Sequence, residues 1–295
     1  MAEIKTHFFD INADLHDPVE GTEGGACLVG HEGDYINKKN AYSCNYRYQA
    51  VERAKSHKEI KKYLHSYNDV IDQIAVQYPD NIPTLARDCE KGIFPAGYSM
   101  KIPVPQKHDW DIEGPPKDLQ RSYGEKIIAK HNFTRQIWPY WNNAHHLIPK
   151  GILKKNIVAD EIGPLMEKGL LTEKYNINHG INMLFMPMDL EVGKILDMPR
   201  HIQAKAGDDK RVKASCTSHP VYDKMVEEID NGLKEIIKGY RKAIGNVENC
   251  TTPDFKLDKK KLESLSERLL DMILKWEGGR SLDSLACIDE DEENL

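Results

Sequence analysis

The sequence lacks the long apolar segments that mark membrane proteins and secreted precursors. No stretch of its 295 residues is apolar and long enough to cross a bilayer, so we expect no membrane partner. The first ten residues lack a basic start followed by an apolar core, which predicts no cleavable signal peptide. The composition, with 40% hydrophobic and 30% charged residues, is that of a globular protein.

Paired cysteines are also missing. The six cysteines are scattered along the chain and no two of them form a CxxC pair (Cys27, Cys44, Cys89, Cys216, Cys250 and Cys287). In a chain of this length, that pattern favours free thiols in a reducing compartment over a disulfide framework.

An overall positive charge, which nucleic-acid-binding proteins often carry, is absent. The net charge is −6, but residues 132–245 hold 17 Lys and Arg against 14 Asp and Glu. A locally basic segment suits a phosphate-containing substrate. Ordinary scatter in the positions of charged residues explains the same excess equally well.

Hydrophobic periodicity predicts a fold of class α+β that is mostly helical. Apolar residues at helical spacing predict one helix over about 45–78, or two joined near Ser56. They also predict helices over 117–131, 160–171, 190–198, 218–240 and 258–276, and a buried strand over 181–186. Ser218 with Pro220 marks the start of one of these helices. Five prolines within residues 95–116 favour a linker there.

Two adjacent histidines, His145 and His146, are the most informative feature that is present. One imidazole can hold a metal ion while its neighbour takes a proton from water. Successive side chains of a strand point to opposite faces, so the two rings divide these tasks only at a kink or a strand end. The following Pro149-Lys150-Gly151 is consistent with a turn at that point.

Three ordered blocks resemble the AHH family of nucleases, a branch of the HNH (ββα-metal, or His-Me finger) superfamily. The first is AHHLIP at 144–149, the second is Asn182 with Pro187, and the third is SHPVY at 218–222. The likeness covers about a third of the chain. It implies a small ββα-metal, HNH-like nuclease core in the C-terminal half, with a β-hairpin and a helix around one divalent ion.

The resemblance also implies a role for each matching residue. His145 and His219 would bind the metal, and His146 would be the general base that deprotonates the attacking water. Asn182 would brace the loop and orient His146 through a hydrogen bond. The cofactor would be one divalent ion, Mg²⁺, Mn²⁺, Ni²⁺ or Zn²⁺, which would neutralise phosphate charge and stabilise the departing 3′ oxygen.

One ligand of the family pattern has no counterpart at its usual position, which is Ser215 here. His201 is the first candidate to replace it, with residues 202–214 looping out between the ligands. Cys216 is the second candidate and would favour a soft ion such as zinc. We favour His201, because imidazole and water suit turnover better than a thiolate. Three basic residues are further candidates to contact the substrate (Lys150, Lys154 and Arg200). Alternatively, they only form part of a solvent-exposed surface.

The predicted organisation has three parts. Residues 1–116 form an N-terminal helical and loop region that ends in the Pro-rich linker 95–116, residues 117–280 form the nuclease domain, and residues 281–295 form a disordered acidic tail. The implied function is metal-dependent, largely sequence-nonspecific hydrolysis of DNA by an antibacterial toxin. It would lie in the producer's cytoplasm with an immunity protein and be injected into the cytoplasm of a target cell. The N-terminal region would then bind a component of a secretion system, such as type VI, or a chaperone.

Two other functions stay open. A zinc-stabilised, non-enzymatic binding or scaffold protein would use a closed site built from four ligands (His145, His201, Cys216 and His219). A housekeeping or phage-defence nuclease would share the proposed chemistry but would not kill the cell that expresses it.

Overall fold

The computed structural model describes residues 27–28, 45–57, 122–123, 126–127, 133, 140, 142–188, 190–201, 219–245 and 256–287. Within these ranges the strands are β1 (Ser122–Tyr123), β2 (Lys126–Ile127), β3 (Asn142–His146) and β4 (Met183–Pro187). The α-helices are α1 (Tyr46–Ser56), α2 (Lys150–Val158), α3 (Gly163–Thr172), α4 (Leu190–Leu196), α5 (Pro220–Glu228), α6 (Leu233–Gly245) and α7 (Lys260–Leu274). Two 3-10 helices span Gly180–Asn182 and Leu282–Cys287.

Helices and two small sheets together give a mixed fold, which confirms the predicted α+β class in its broad form. One sheet pairs β1 with β2, and the other pairs β3 with β4. The backbone N–H of Leu147, just after β3, donates to the carbonyl of Asn182, just before β4, at 2.9 Å. The end of β3 therefore faces the start of β4, as in an antiparallel pair.

The chain divides into two compact units. Unit 1 comprises Met1–Arg53, Ala144–Leu184 and Asp223–Met272, and unit 2 comprises Ala54–Asn143, Phe185–Tyr222 and Ile273–Leu295. The division passes through α1, β3, β4, α5 and α7, so each of these elements contributes residues to both units.

The core of unit 1 includes the mutual packing of α2, α3 and α6. Each helix buries apolar residues at helical spacing, which places them on one face (Leu153 and Ile157; Met166 and Leu170; Leu233, Ile236, Ile237, Tyr240 and Ile244). Removing these faces from water is the main favourable contribution to folding in this unit.

Unit 2 contains an aromatic cluster. The ring of Phe133 lies edge-on to Tyr140, with centroids 5.3 Å apart, and is tilted against Phe185 of β4 at 5.8 Å. All three rings are at most 1% exposed, and edge-on packing of this kind is favourable beyond the area that it buries.

The predicted helix over 117–131 is wrong across its centre. Strands β1 and β2 pair there in antiparallel register, with Ser122 opposite Ile127 and Tyr123 opposite Lys126. Tyr and Ile favour strands, and a two-residue Gly-Glu connection between two such segments is typical of a β-hairpin.

Helix α2 begins where the sequence suggested only a turn. Pro149 occupies the N-cap with φ −62° and ψ 129°, and the helix starts at Lys150. In the sequence, Pro149 and Gly151 together resemble a turn signal. The helical spacing of Leu153 and Ile157 indicates the helix, but the proline and glycine make it hard to recognise.

The apolar stripe from Val221 to Tyr240 was predicted as one helix and is two. Helix α5 ends at Glu228, Asn231 adopts φ 52°, and α6 starts at Leu233. A Cβ atom at Gly232 would lie 2.4 Å from the carbonyl oxygen of Ile229, so the tight connection requires glycine.

The remaining predicted elements are confirmed to within a few residues where the structure describes them. These are α3, α4 and α7, the helix start after Ser218, and strand β4, although Asn182 belongs to the 3-10 helix before that strand. The predicted helix over 45–78 is present as α1 up to Ser56, and its remainder and the linker 95–116 lie outside the described residues.

The predicted disordered tail begins too early. Ser281, Leu282 and Asp283 are at most 8% exposed, and the second 3-10 helix continues to Cys287. Residues 288–295, which carry the acidic run, lie outside the described residues. Among the helices that the structure describes, none combines the length and apolar character needed to span a membrane.

Candidate metal centre

The structure brings together three histidines that are far apart in sequence. His145 lies in β3, His201 follows α4, and His219 immediately precedes α5. One ring nitrogen from each lies within 4.8 Å of the other two. These are the residues predicted as metal ligands, including His201, the favoured candidate for the third position. Cys216, the other candidate, lies outside the described residues.

The donor set fits one divalent ion. Two ligand nitrogens that each bind an ion at about 2.1 Å lie at most about 4.2 Å apart, so small side-chain rotations bring the three rings into range. Imidazole suits several divalent transition metals, zinc and nickel among them. Within the described ranges three donors come together, and three protein ligands leave coordination positions for water and substrate, whereas a fourth ligand would give a closed structural site.

His201 is held from two directions within unit 2. Its backbone N–H donates to the carbonyl of Pro187 at the end of β4, at 2.9 Å. Its ring nitrogen Nδ1 lies 3.2 Å from the side-chain amide of Asn143 in β3. The atom of Asn143 that faces Nδ1 is the amide nitrogen, which donates. A histidine that binds metal through Nε2 donates from Nδ1, so this contact supports a ligand role once the Asn143 amide turns to present its oxygen.

His219 occupies the N-terminal end of α5 and is half-buried. Its ring lies edge-on to His201, with centroids 4.8 Å apart, and edge-on to Tyr222 at 5.4 Å. Tyr222 is fully buried and restricts how far the His219 ring can turn.

His146 occupies a different environment, although it adjoins His145. It ends strand β3, where the two side chains can point apart. Its Nε2 lies 2.9 Å from Oδ1 of Asn178, and its ring is tilted against Tyr46 of α1 at 5.1 Å. The side-chain amide nitrogen of Asn178 donates to Sγ of the buried Cys27 at 3.4 Å.

This arrangement determines which nitrogen of His146 carries the hydrogen. Because the amide nitrogen of Asn178 faces Cys27, the amide oxygen faces His146 and can only accept. Nε2 of His146 therefore donates its N–H to that oxygen. In the neutral ring, this leaves Nδ1 with the lone pair that can accept a proton.

Asn182 braces the loop as predicted but does not orient His146. Its Oδ1 accepts from the backbone N–H of Ile148 at 2.7 Å and from Oγ of Ser266 at 2.9 Å. Its Nδ2 donates to the carbonyls of Ile148 and Ile177 at 3.2 and 2.8 Å. The predicted contact with His146 is made by Asn178 instead, because Asn182 uses its whole amide to join the segment after β3 to the 3-10 helix before β4.

Replacing Asn182 by alanine is expected to lower the free energy of unfolding by about 3 kcal/mol, because several buried backbone groups lose their partners. Urea denaturation of the two proteins measures this difference. The control is Asn156→Ala, which removes hydrogen bonds from a half-buried amide to Ile152 and Glu227 and is expected to cost about 1 kcal/mol. Equal losses in the two variants would contradict a bracing role for Asn182.

Residues of α1 hold the other side of the same loop. Oε1 of Gln49 accepts from the N–H of Gly180 at 3.0 Å, and Arg53 donates to the carbonyl of Gly180 at 2.7 Å. Arg53 is 6% exposed and also pairs with Glu267 of α7 at 3.0 Å. Burial lowers the pKa of Arg53, an effect that Glu267 opposes. The N-terminal part of the chain therefore contributes directly to the surroundings of His146.

The basic candidates for substrate contact lie in different surroundings. Lys150 is exposed, and Lys154 is half-buried. Arg200 is 1% exposed, and its Nε donates to the carbonyl of Gly279 at 2.6 Å. Lys155, one residue beyond Lys154, pairs with the buried carboxylate of Glu227 at 3.2 Å. Contact between Arg200 and a nucleic acid would require this side chain to leave its buried position.

Comparison with known proteins gives no relative on which to base a function. No family model, no curated protein and no solved structure matches the chain. The resemblance to AHH nucleases therefore depends on the three sequence blocks alone.

Proposed function

We propose that this protein is a divalent-metal-dependent endonuclease that hydrolyses phosphodiester bonds of DNA with little sequence preference. The observation that carries the proposal is the convergence of His145, His201 and His219 within 4.8 Å. A bound ion would supply Lewis-acid stabilisation of the phosphate and of the leaving 3′ oxygen. Phosphate diesters are the class of substrate that the resemblance to AHH nucleases implies, and His146 directly follows the candidate ligand His145 in the sequence.

The protein's own part in the reaction falls to His146. Asn178 accepts the Nε2 hydrogen, so that Nδ1 carries the lone pair of the neutral ring and would take the proton of the attacking water. Tyr46 and Asn178 fix the plane of the ring between them. The fixed ring pays no orientational cost when the proton is transferred, and this preorganisation supports the assignment of His146 as the base.

The direct test is cleavage of supercoiled plasmid by the purified protein. With Mn²⁺ or Mg²⁺ we expect nicked and then linear DNA, and we expect EDTA to stop the reaction and added metal to restore it. Thermal melting with and without EDTA serves as the control. A large loss of stability on chelation, in a protein that never cleaves DNA, would contradict the proposal and favour the zinc scaffold.

The biological setting that we propose is that of an antibacterial toxin with a cognate immunity protein, delivered by a secretion system into the target cytoplasm. Its support is the resemblance to AHH nucleases alone. Such a protein must arrest growth when it is expressed without its immunity partner, and degraded chromosomal DNA must accompany the arrest. Normal growth during expression of an active enzyme would favour a housekeeping or defence nuclease.

A further inference from the structure

A short C-terminal segment lies against the backbone that carries His201. Arg200 pairs with Ser281 in a parallel β-bridge. The N–H of Arg200 donates to the carbonyl of Arg280 at 2.6 Å, and the N–H of Leu282 donates to the carbonyl of Arg200 at 2.8 Å. The buried Arg200 side chain adds its bond to Gly279. The residue immediately before His201 is thus fixed through both its backbone and its side chain.

The same segment reaches the helix that begins after His219. Oδ1 of Asp283 accepts the backbone N–H groups of Val221 and Tyr222 at 2.7 and 3.0 Å. These belong to the first turn of α5, whose N–H groups have no partner inside the helix. Asp283 is 2% exposed, and its own N–H is held by Oγ of Ser281 at 3.1 Å.

The charge of Asp283 bears on the metal as well as on the helix. The aligned peptide dipoles of α5 place partial positive charge at its N-terminus, where His219 offers its ring. That field opposes the binding of a cation. A buried carboxylate that accepts two of the terminal N–H groups offsets it, so Asp283 makes the position of His219 compatible with a divalent ion.

We propose that residues Gly279–Asp283 form a C-terminal clamp that positions His201 and His219 together, and that Asp283 is a positioning residue for the metal centre. The inference rests on the proposed metal-binding function of these histidines. Neither the AHH-like blocks nor the composition of the segment indicates it, since the sequence places Asp283 in an acidic tail. The clamp joins two ligands that are 18 positions apart through a third stretch of chain.

The test is Zn²⁺ and Mn²⁺ binding by the full chain, measured by calorimetric titration of wild type, Asp283→Asn and Asp283→Ala. We expect both variants to bind metal about 10- to 100-fold more weakly, as when groups that orient metal ligands are removed, because Asp283 holds the first turn of the helix that follows His219. The visible absorption of bound Co²⁺ is expected to change in shape, because ligand geometry changes. Circular dichroism establishes whether each variant is folded. If the alanine variant does not fold, the metal affinity of Asp283→Asn, which keeps an acceptor oxygen, tests the inference.

A second helix cap provides the matched control. Oδ1 of Asp258 accepts the N–H of Lys260 at the start of α7, at 3.0 Å. Asp258→Ala is expected to leave metal affinity and the Co²⁺ spectrum unchanged. Wild-type metal affinity in both Asp283 variants, or a wild-type protein that binds neither metal, would overturn the inference.

Plasmid cleavage, measured separately, distinguishes this inference from the proposed function. A wild type that binds metal but does not cut DNA, with Asp283 variants that bind weakly, would leave the clamp standing and the nuclease proposal refuted. A wild type that cuts DNA, with Asp283 variants that bind metal normally, would support the nuclease proposal and refute the clamp.

Discussion

His146→Ala is expected to lower plasmid cleavage by roughly 10²- to 10⁴-fold, the usual contribution of a positioned general base. Its metal content is expected to stay at the wild-type level, because His146 is not among the three clustered donors. Initial rates of nicking, together with metal analysis by atomic absorption, measure the two quantities. Wild-type nicking by this variant would exclude the imidazole as the base.

His219→Ala is the contrasting variant, since it is expected to lose bound metal and cleavage together.

Two changes at Asn178 test how His146 is oriented. Asn178→Asp keeps an acceptor opposite Nε2 and is expected to retain most activity, whereas Asn178→Ala removes it and is expected to lower the rate with metal binding intact. Equal rates in the aspartate and alanine variants would argue against the orienting hydrogen bond.

Two of the three clustered histidines were predictable because their signal is local. The histidines at positions 145 and 219 lie within short blocks of characteristic residues, and Pro220 marks a helix start that the structure confirms. His201 was predictable only as a substitute for a missing ligand. Its place in the cluster depends on the bond to Pro187 and the pairing of Arg200 with Ser281, which are contacts between distant segments.

Asn178 shows where sequence reasoning stops. Asn176, Asn178 and Asn182 lie within seven residues, and each has the chemistry to accept a hydrogen bond from His146. The family resemblance points to Asn182, but the amide of Asn182 is bonded to Ile148, Ile177 and Ser266. Only the packed structure distinguishes the asparagine that braces the loop from the one that orients the ring.

The errors in the predicted elements have a common cause. Periodicity detects an apolar face but not a break within it, so the stripe from 221 to 240 concealed the connection at Asn231 and Gly232. Proline and glycine mark helix starts as well as turns, which is why α2 was missed after Pro149. In both cases the backbone conformation of one or two residues decides where a helix begins or ends, and the hydrophobic pattern carries no information on that conformation.

A shortened chain that begins at Lys117, the predicted start of the nuclease domain, is expected to lose cooperative folding and all cleavage. The deleted part includes Leu28 and Val51, which are at most 1% exposed and contribute about 2 kcal/mol each by burial. It also removes the hydrogen bonds of Arg53 to Gly180 and Glu267. The first is worth about 1.5–3 kcal/mol because a charged group takes part, and the second about 1 kcal/mol because Glu267 is 46% exposed. Together these losses approach the whole net stability of a typical domain, about 5–15 kcal/mol.

Thermal melting followed by circular dichroism, with plasmid nicking on the same samples, measures the effect of this deletion. Removal of residues 288–295 is the control for shortening as such and is expected to leave both readouts unchanged. Arg53→Met keeps the length of the chain and the bulk of the side chain but removes its bonds to Gly180 and Glu267, and is expected to lower the melting temperature. A chain from Lys117 that melts cooperatively and cuts DNA would show that the N-terminal region is separable, as a delivery or adaptor region must be. Loss of folding would instead make Tyr46, Gln49 and Arg53 part of the framework that holds His146.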